Sequence, residues 1–218
     1  PPRSTLFPYT TLFRSEAGQH DMTPPRPSTT HASPPPAASD GAAPVEPDRS
    51  RIAVDLVEDG GDWSGFGDIE TLVITAAHAV AEEPAVARRL PDEYCEAVIV
   101  LSADAEVARL NGQYRAKPNP TNVLSFPAPR GTPAASVADA VALGDVVLAD
   151  GVVRAAAAGG GVPLAHHLQH LVVHGLLHLA GYDHLTTAEA EEMESLETAI
   201  LARLGVSDPY AGSDPVET

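Results

Sequence analysis

The run His174-Gly175-Leu176-Leu177-His178-Leu179-Ala180-Gly181-Tyr182-Asp183-His184 sets three imidazoles at intervals of four and then six residues. Four residues is close to one helical turn, so His174 and His178 share a helix face. Gly181 is placed to end that helix, because glycine adopts the left-handed backbone of a C-terminal cap at little cost. Tyr182-Asp183 then carries His184 back toward the pair. Three neutral imidazoles with a fourth position open to water form the donor set of a catalytic zinc site, not of a sealed structural one. The expectation is one zinc ion, held by His174, His178 and His184 at the end of a helix.

The other histidines are read differently. His170 lies one turn before His174 on the same face, and successive turns cannot all reach one ion. It is read as supporting the ligands from behind or as core, with a ligand role as the remaining option. His166 and His167 are read as helix surface and His78 as an exposed residue. His20 and His31 fall in the N-terminal stretch set aside below. Asp183, next to a ligand, is either an acceptor that orients an imidazole or an ordinary turn residue.

Outward from this run, the pattern from Arg51 onward is that of a mixed α/β domain. Ile52 to Leu56 alternates like a strand, and Asp68 to about Glu83 carries Leu72, Val73, Ala76, Ala77 and Val80 at helical spacing until Pro84 stops it. Ala97-Val98-Ile99-Val100-Leu101 is a buried-strand run. Ser102 is expected to cap a helix with Asp104 and Glu106 in its first turn and Val107, Leu110 and Tyr114 on its inner face. Asn122 to Phe126 and Asp145 to Leu148 are two further strands, joined by a long connection, Ala128 to Ala142, with no clear element. A helix near Ala149 to Ala158 leads to Gly159-Gly160-Gly161, and Pro163 opens the histidine helix at its first position. Thr186 with Glu189 is a capping box for the last helix. Met193, Leu196, Ile200 and Leu204 form its apolar stripe, Glu191, Glu192 and Glu194 its solvated face, and Gly205 its end.

Of the 21 prolines, 11 fall in residues 1–50, which lack apolar periodicity and read as a disordered tail. Within it, Thr5 to Ser15 looks like the in-frame translation of a sequencing-adapter oligonucleotide, so residues 1–15 are set aside as an artefact and Met22 is read as a candidate start. That leaves residues 51–218 as one domain. No stretch reads as a signal peptide or a membrane span. The lone Cys95 excludes an internal disulfide and suits a reducing cytoplasm. The net charge is −17; residues 51–218 hold 9 Lys+Arg against 25 Asp+Glu, or −16. A chain this acidic is not a general binder of phosphate backbones, so any nucleic-acid contact must be local.

Several motifs together resemble one family. The histidine run is similar to the signature of the YbeY endoribonucleases, the rRNA maturation factors of bacteria. Ala188 to Glu194 with Leu196-Glu197-Thr198 resembles the family's closing helix, and Asp208-Pro209-Tyr210 its C-terminal end. Upstream, Leu110-Asn111-Gly112-Gln113-Tyr114-Arg115, Pro120 to Pro127 and Leu143-Gly144-Asp145-Val146-Val147 resemble the family's other signatures, in the family's order. The resemblance implies an α+β fold with a small mixed sheet of four strands packed with helices. It implies zinc on His174, His178 and His184, with Arg115 as the cation of the active cleft. It further implies a single-strand-specific endoribonuclease that matures the 3′ end of small-subunit rRNA and takes part in ribosome quality control. The implied partners are rRNA, ribosomal proteins and assembly factors, in a bacterial cytoplasm and with neither DNA nor membrane. One departure stands out: where the family has Lys-Asp, this chain has Lys117-Pro118-Asn119.

The chemistry is consistent with that reading. Zinc on three histidines brings the pKa of a bound water to roughly 7. The zinc-bound water is then the expected catalytic group, beside the substrate's own 2′-hydroxyl as the other candidate nucleophile. A guanidinium suits the charge that builds on phosphoryl oxygens, and Lys117, the sole lysine, would attract substrate two residues from Arg115. Two other readings stay open. The H-x3-H-x2-Gly-x2-H spacing is also that of metzincin zinc peptidases, yet their glutamate general base after the first histidine is here Gly175. Alternatively, the chain is a non-catalytic ribosome assembly factor with a structural metal.

Overall fold

The computed structural model describes residues 51–211. The tail expected over residues 1–50, its adapter-like start included, lies outside the described residues. Four strands form one sheet: β1 (Ile52–Glu58), β2 (Cys95–Ser102), β3 (Val123–Pro127) and β4 (Val141–Ala149), in the order β1-β2-β4-β3. β2 runs parallel to both β1 and β4, whereas β3 pairs antiparallel with β4. Parallel neighbours cannot be joined by hairpins, and the six helices among the described residues include the crossovers: α1 (Ile69–Ala81), α2 (Pro84–Ala87), α3 (Asp104–Arg115), α4 (Asp150–Gly160), α5 (Leu164–Leu179) and α6 (Thr187–Arg203). The fold is α+β with a small mixed sheet, as the sequence implied.

β2 is buried at all eight positions, as a strand paired on both edges and covered on both faces must be. One face carries the main core, in which Ile99, Val146 and Leu148 meet α1, α5 and α6. On the other face Val98, Val100 and Val147 meet Val107 and Leu110 of α3, with Leu124 and Phe126 of β3. The Tyr114 ring closes this second core edge-on to Phe126, at 5.2 Å between centroids.

The histidine helix α5 packs against α1, α4, α6, β3 and β4. Its Leu168, Val172, Val173, Leu176 and Leu177 are fully buried. Burial of each such side chain is worth roughly 1.5–3 kcal/mol. Packing therefore sets the helix before any metal is bound.

Several local expectations are corrected. Ser102 does not cap α3: it is buried in the sheet, its hydroxyl donating to Asp59 Oδ2 at 3.2 Å, and the cap falls on Ala103 without a side-chain bond. Asp104 turns instead to α4, accepting from the backbone N–H groups of Gly151 and Val152 at 2.9 and 3.2 Å. Pro84 begins the one-turn α2 as well as following α1. Pro163 is the N-cap of α5, one position earlier than expected. The connection after β3 ends sooner, because β4 already starts at Val141 and passes through Gly144. Gly144 has φ +132°, and a Cβ there would stand 2.2 Å from the Phe126 carbonyl oxygen, so only glycine lets β3 and β4 approach. His78 is half-buried, not exposed.

Candidate metal centre and cleft

α5 ends in a Schellman turn. Gly181 N–H donates to His178 O and Tyr182 N–H to Leu177 O, each at 3.0 Å, with Gly181 at φ +89°. The buried Tyr182 ring lies 3.7 Å beneath the Arg89 guanidinium, which also donates to Gly181 O and to Glu192 Oε1. This locked turn brings His184 back over the helix end. One nitrogen from each of His174, His178 and His184 lies within 4.8 Å of the others. The ring centroids are 4.6, 5.0 and 5.6 Å apart.

Hydrogen bonding fixes two of the tautomers. His174 Nδ1 lies 2.8 Å from Glu197 Oε1, and His178 Nδ1 lies 3.0 Å from the carbonyl oxygen of Tyr182. Both partners accept, so both Nδ1 atoms carry the proton and donate. The two Nε2 atoms then face each other 3.1 Å apart. Burial above all pushes the His178 pKa down to about 4, so at neutral pH its Nε2 presents a lone pair. Lone pairs at that separation repel unless a cation lies between them. Tetrahedral bonds of about 2.0–2.1 Å would hold zinc-bound nitrogens about 3.3 Å apart. The donor set therefore fits the ion.

Glu197 on α6 is the residue that the sequence reading left without a role. It is fully buried, and its carboxylate takes three side-chain hydrogen bonds: from His174 Nδ1, from His170 Nε2 at 2.9 Å and from Tyr210 Oη at 2.5 Å. Burial alone would raise its pKa; the hydrogen bonds from His170, His174 and Tyr210 outweigh it and hold the group at about 2. A signal for it existed. Glu197 follows Met193 by four residues and precedes Ile200 by three, so it interrupts the apolar stripe and not the solvated face.

The remaining site residues are placed as follows. His170 turns its Nε2 to Glu197 and stands apart from the three-histidine set. Asp183 Oδ1 accepts from the backbone N–H of His184 at 2.9 Å and stays 4.0 Å from His178 Nδ1, whose nearer acceptor is Tyr182 O. A cleft of about 470 Å³ joins the histidines to Arg115. Its opposite wall is Val123, Ser125 and Pro127, the alternate residues of β3. Arg115 is exposed at the last turn of α3, with no ion-pair partner among the described residues. Ala116, at φ +56°, then ends the helix in the left-handed conformation. The Asn111 amide donates to Asn119 O at 2.7 Å, tying down the segment that contains Pro118. Lys117 is exposed two residues beyond Arg115 and does not line the cleft. A second groove, of about 590 Å³ beside β1, has Glu58, Asp68 and Glu70 in its walls and no basic residue. It would repel a polyanion.

Residues 67–205 match the family described as Endoribonuclease YbeY. The chain is 45% identical over 179 residues to the Endoribonuclease YbeY of Parvibaculum lavamentivorans, covering 80% of this chain and 93% of that protein. It is 50% identical over 157 residues to the protein of the same name from Novosphingobium aromaticivorans, covering 70% and 92%. Among solved structures, that of TM1509 from Thermotoga maritima aligns with 76% of this chain and all of its own, at 23% identity and a TM-score of 0.45.

Proposed function

This chain belongs to the endoribonuclease YbeY family, and on that premise we propose that it hydrolyses RNA at the three-histidine cleft with one zinc ion. The substrate we assign is single-stranded rRNA, at the 3′ end of the small-subunit precursor and in ribosome quality control, in the cytoplasm of a bacterium. Ribosomal proteins and assembly factors are the partners that such a task requires. The observation that carries this reading is the convergence of three imidazoles and an exposed guanidinium on one cleft.

Zinc bound there would activate water near neutral pH and polarise the phosphoryl group. The chain's own residues do the rest. His174 and His178 offer neutral Nε2 atoms because their Nδ1 protons are engaged, and His184 closes the set from the turn. Arg115, bound to no carboxylate among the described residues, is placed to pair two of its N–H groups with the phosphoryl oxygens as their charge grows. Lys117, outside the cleft, adds attraction for the approaching backbone. In a chain this acidic, these two cations favour the approach of RNA from the α3 end of the cleft.

The peptidase reading loses its general base sterically as well as by sequence. Gly175 packs directly on Val146, leaving no room for a glutamate side chain. A purely structural metal is disfavoured by exposure of His184 on the open side of the cleft. The test is to incubate zinc-loaded protein with rRNA fragments and, separately, with casein. Cleavage of RNA alone supports the assignment; cleavage of casein alone removes it. A substrate with hydrogen in place of the 2′-hydroxyl distinguishes attack by water from attack by the RNA itself.

A further inference from the structure

The buried carboxylate of Glu197 gathers three donors from two parts of the chain: His170 and His174 from α5 and Tyr210 from beyond α6. Tyr210 is itself held in place. Asp208 Oδ1 accepts from its backbone N–H at 2.9 Å and from the Thr198 hydroxyl at 3.2 Å, pinning the C-terminal segment against α6. A fully buried carboxylate is costly unless its oxygens are satisfied, and each of these bonds meets that need. Their orientation carries more than stability. His170 and Tyr210 both donate to Oε2, leaving Oε1 directed at His174.

We propose that Glu197, oriented by His170 and Tyr210, is the positioning residue that holds His174 in its metal-binding tautomer, so that zinc retention depends on the C-terminal segment around Tyr210. This inference rests on the zinc reading above. Without the carboxylate, His174 can place its proton on Nε2 and lose its lone pair toward the metal, or rotate about its side-chain bonds. Acceptors on the far nitrogen of a ligating histidine commonly govern metal affinity by 10–100-fold.

The experiment measures zinc affinity by competition with a chelator, together with the visible spectrum of the cobalt-substituted protein and the melting temperature of the metal-free form. Glu197→Gln keeps the shape but turns an NH2 group toward at least one donor. The expected result is a zinc Kd raised about 10- to 100-fold, a shifted cobalt spectrum, and still one zinc per chain at saturation. Tyr210→Phe removes one donor and keeps the carboxylate, so it should weaken zinc by about 2- to 10-fold; it decides the matter if the glutamine variant does not fold. A lowered melting temperature with wild-type zinc affinity in both variants would make Glu197 merely structural and overturn the inference. A wild-type protein that takes up no zinc would instead overturn the functional reading beneath it, and the wild-type titration alone reveals that.

Discussion

Gly175 lies flush against Val146: a Cβ at position 175 would stand 2.6 Å from Val146 Cγ1 and 2.9 Å from Cγ2. This contact seats the histidine helix on the central sheet at the turn that bears His174 and His178. Val146 is fully buried and β-branched, so it has little room to move. Gly175→Ala should therefore lose about 1–3 kcal/mol of stability through overpacking, despite the better helix propensity of alanine. Gly175→Glu, which restores the peptidase pattern, should lose more and gain no activity on casein. Urea denaturation measures both. Adding Val146→Ala to Gly175→Ala should recover part of the loss, and strict additivity of the two changes would refute the packing account.

Arg115 separates chemistry from folding. Its side chain is exposed and has no ion-pair partner among the described residues. Arg115→Ala should lower RNA cleavage at least ~10-fold, about 1.4 kcal/mol of barrier, with zinc content and melting temperature unchanged. Arg115→Lys should restore only part of the rate, because an ammonium cannot make the paired contact. Wild-type cleavage by the alanine variant would take Arg115 out of the mechanism.

Lys117 lies outside the cleft, so its effect should fall on binding. Lys117→Ala should weaken RNA affinity and flatten its dependence on salt, as loss of one phosphate contact does, while the rate at saturating RNA stays put. Pro118→Asp, which places a carboxylate three residues from Arg115, should raise cleavage by holding that guanidinium more firmly. An unchanged or lower rate in that variant would count against the need for such a tether.

The convergence of His174, His178 and His184 was legible in the sequence because their spacing maps directly onto one helix face and one glycine turn. Glu197 was harder to see. It sits in an α6 rich in exposed carboxylates, and only its position within the apolar stripe sets it apart from Glu191, Glu192 and Glu194. Tyr210 acts through a tertiary contact with no local signature. The misassigned Ser102 cap has a similar origin: serine before an acidic first turn is a common start signal, but here strand burial and Asp59 claimed the hydroxyl. The early start of β4 was hidden by Gly144, which reads as a break when its chain neighbours are unknown and is in fact a close approach to β3.

Cys95 provides a test of the core that is independent of the site. It is fully buried; burial, helped by Glu93 and opposed by Arg51, raises its thiol pKa to about 11. Iodoacetamide at pH 8 should label it slowly in the folded protein and rapidly in urea. The unfolded thiol ionises near ~8.5, so above that pH the unfolded chain gives up a proton that the native chain keeps. Stability should therefore be intact below pH ~8.5 and fall as pH rises toward 11. A folded protein labelled as fast as the unfolded one would contradict the packing of β2.

Zinc content distinguishes ligands from neighbours. His174→Ala, His178→Ala and His184→Ala should each lose the metal at micromolar zinc, whereas His170→Ala, whose ring turns to Glu197, should still take up one ion per chain. Full zinc in the His184→Ala protein would show that another residue completes the set.

The most direct test of the central claim is a single titration. Metal-free protein is supplied with increasing zinc, and the initial rate of cleavage of a single-stranded rRNA fragment is recorded at each step. The rate should rise from near zero to a plateau at one zinc per chain, and the same titration of His184→Ala should stay flat over that range. Cleavage at the plateau rate by chelator-treated wild-type protein, or no cleavage at one equivalent of bound zinc, would contradict a zinc-dependent ribonuclease built on His174, His178 and His184.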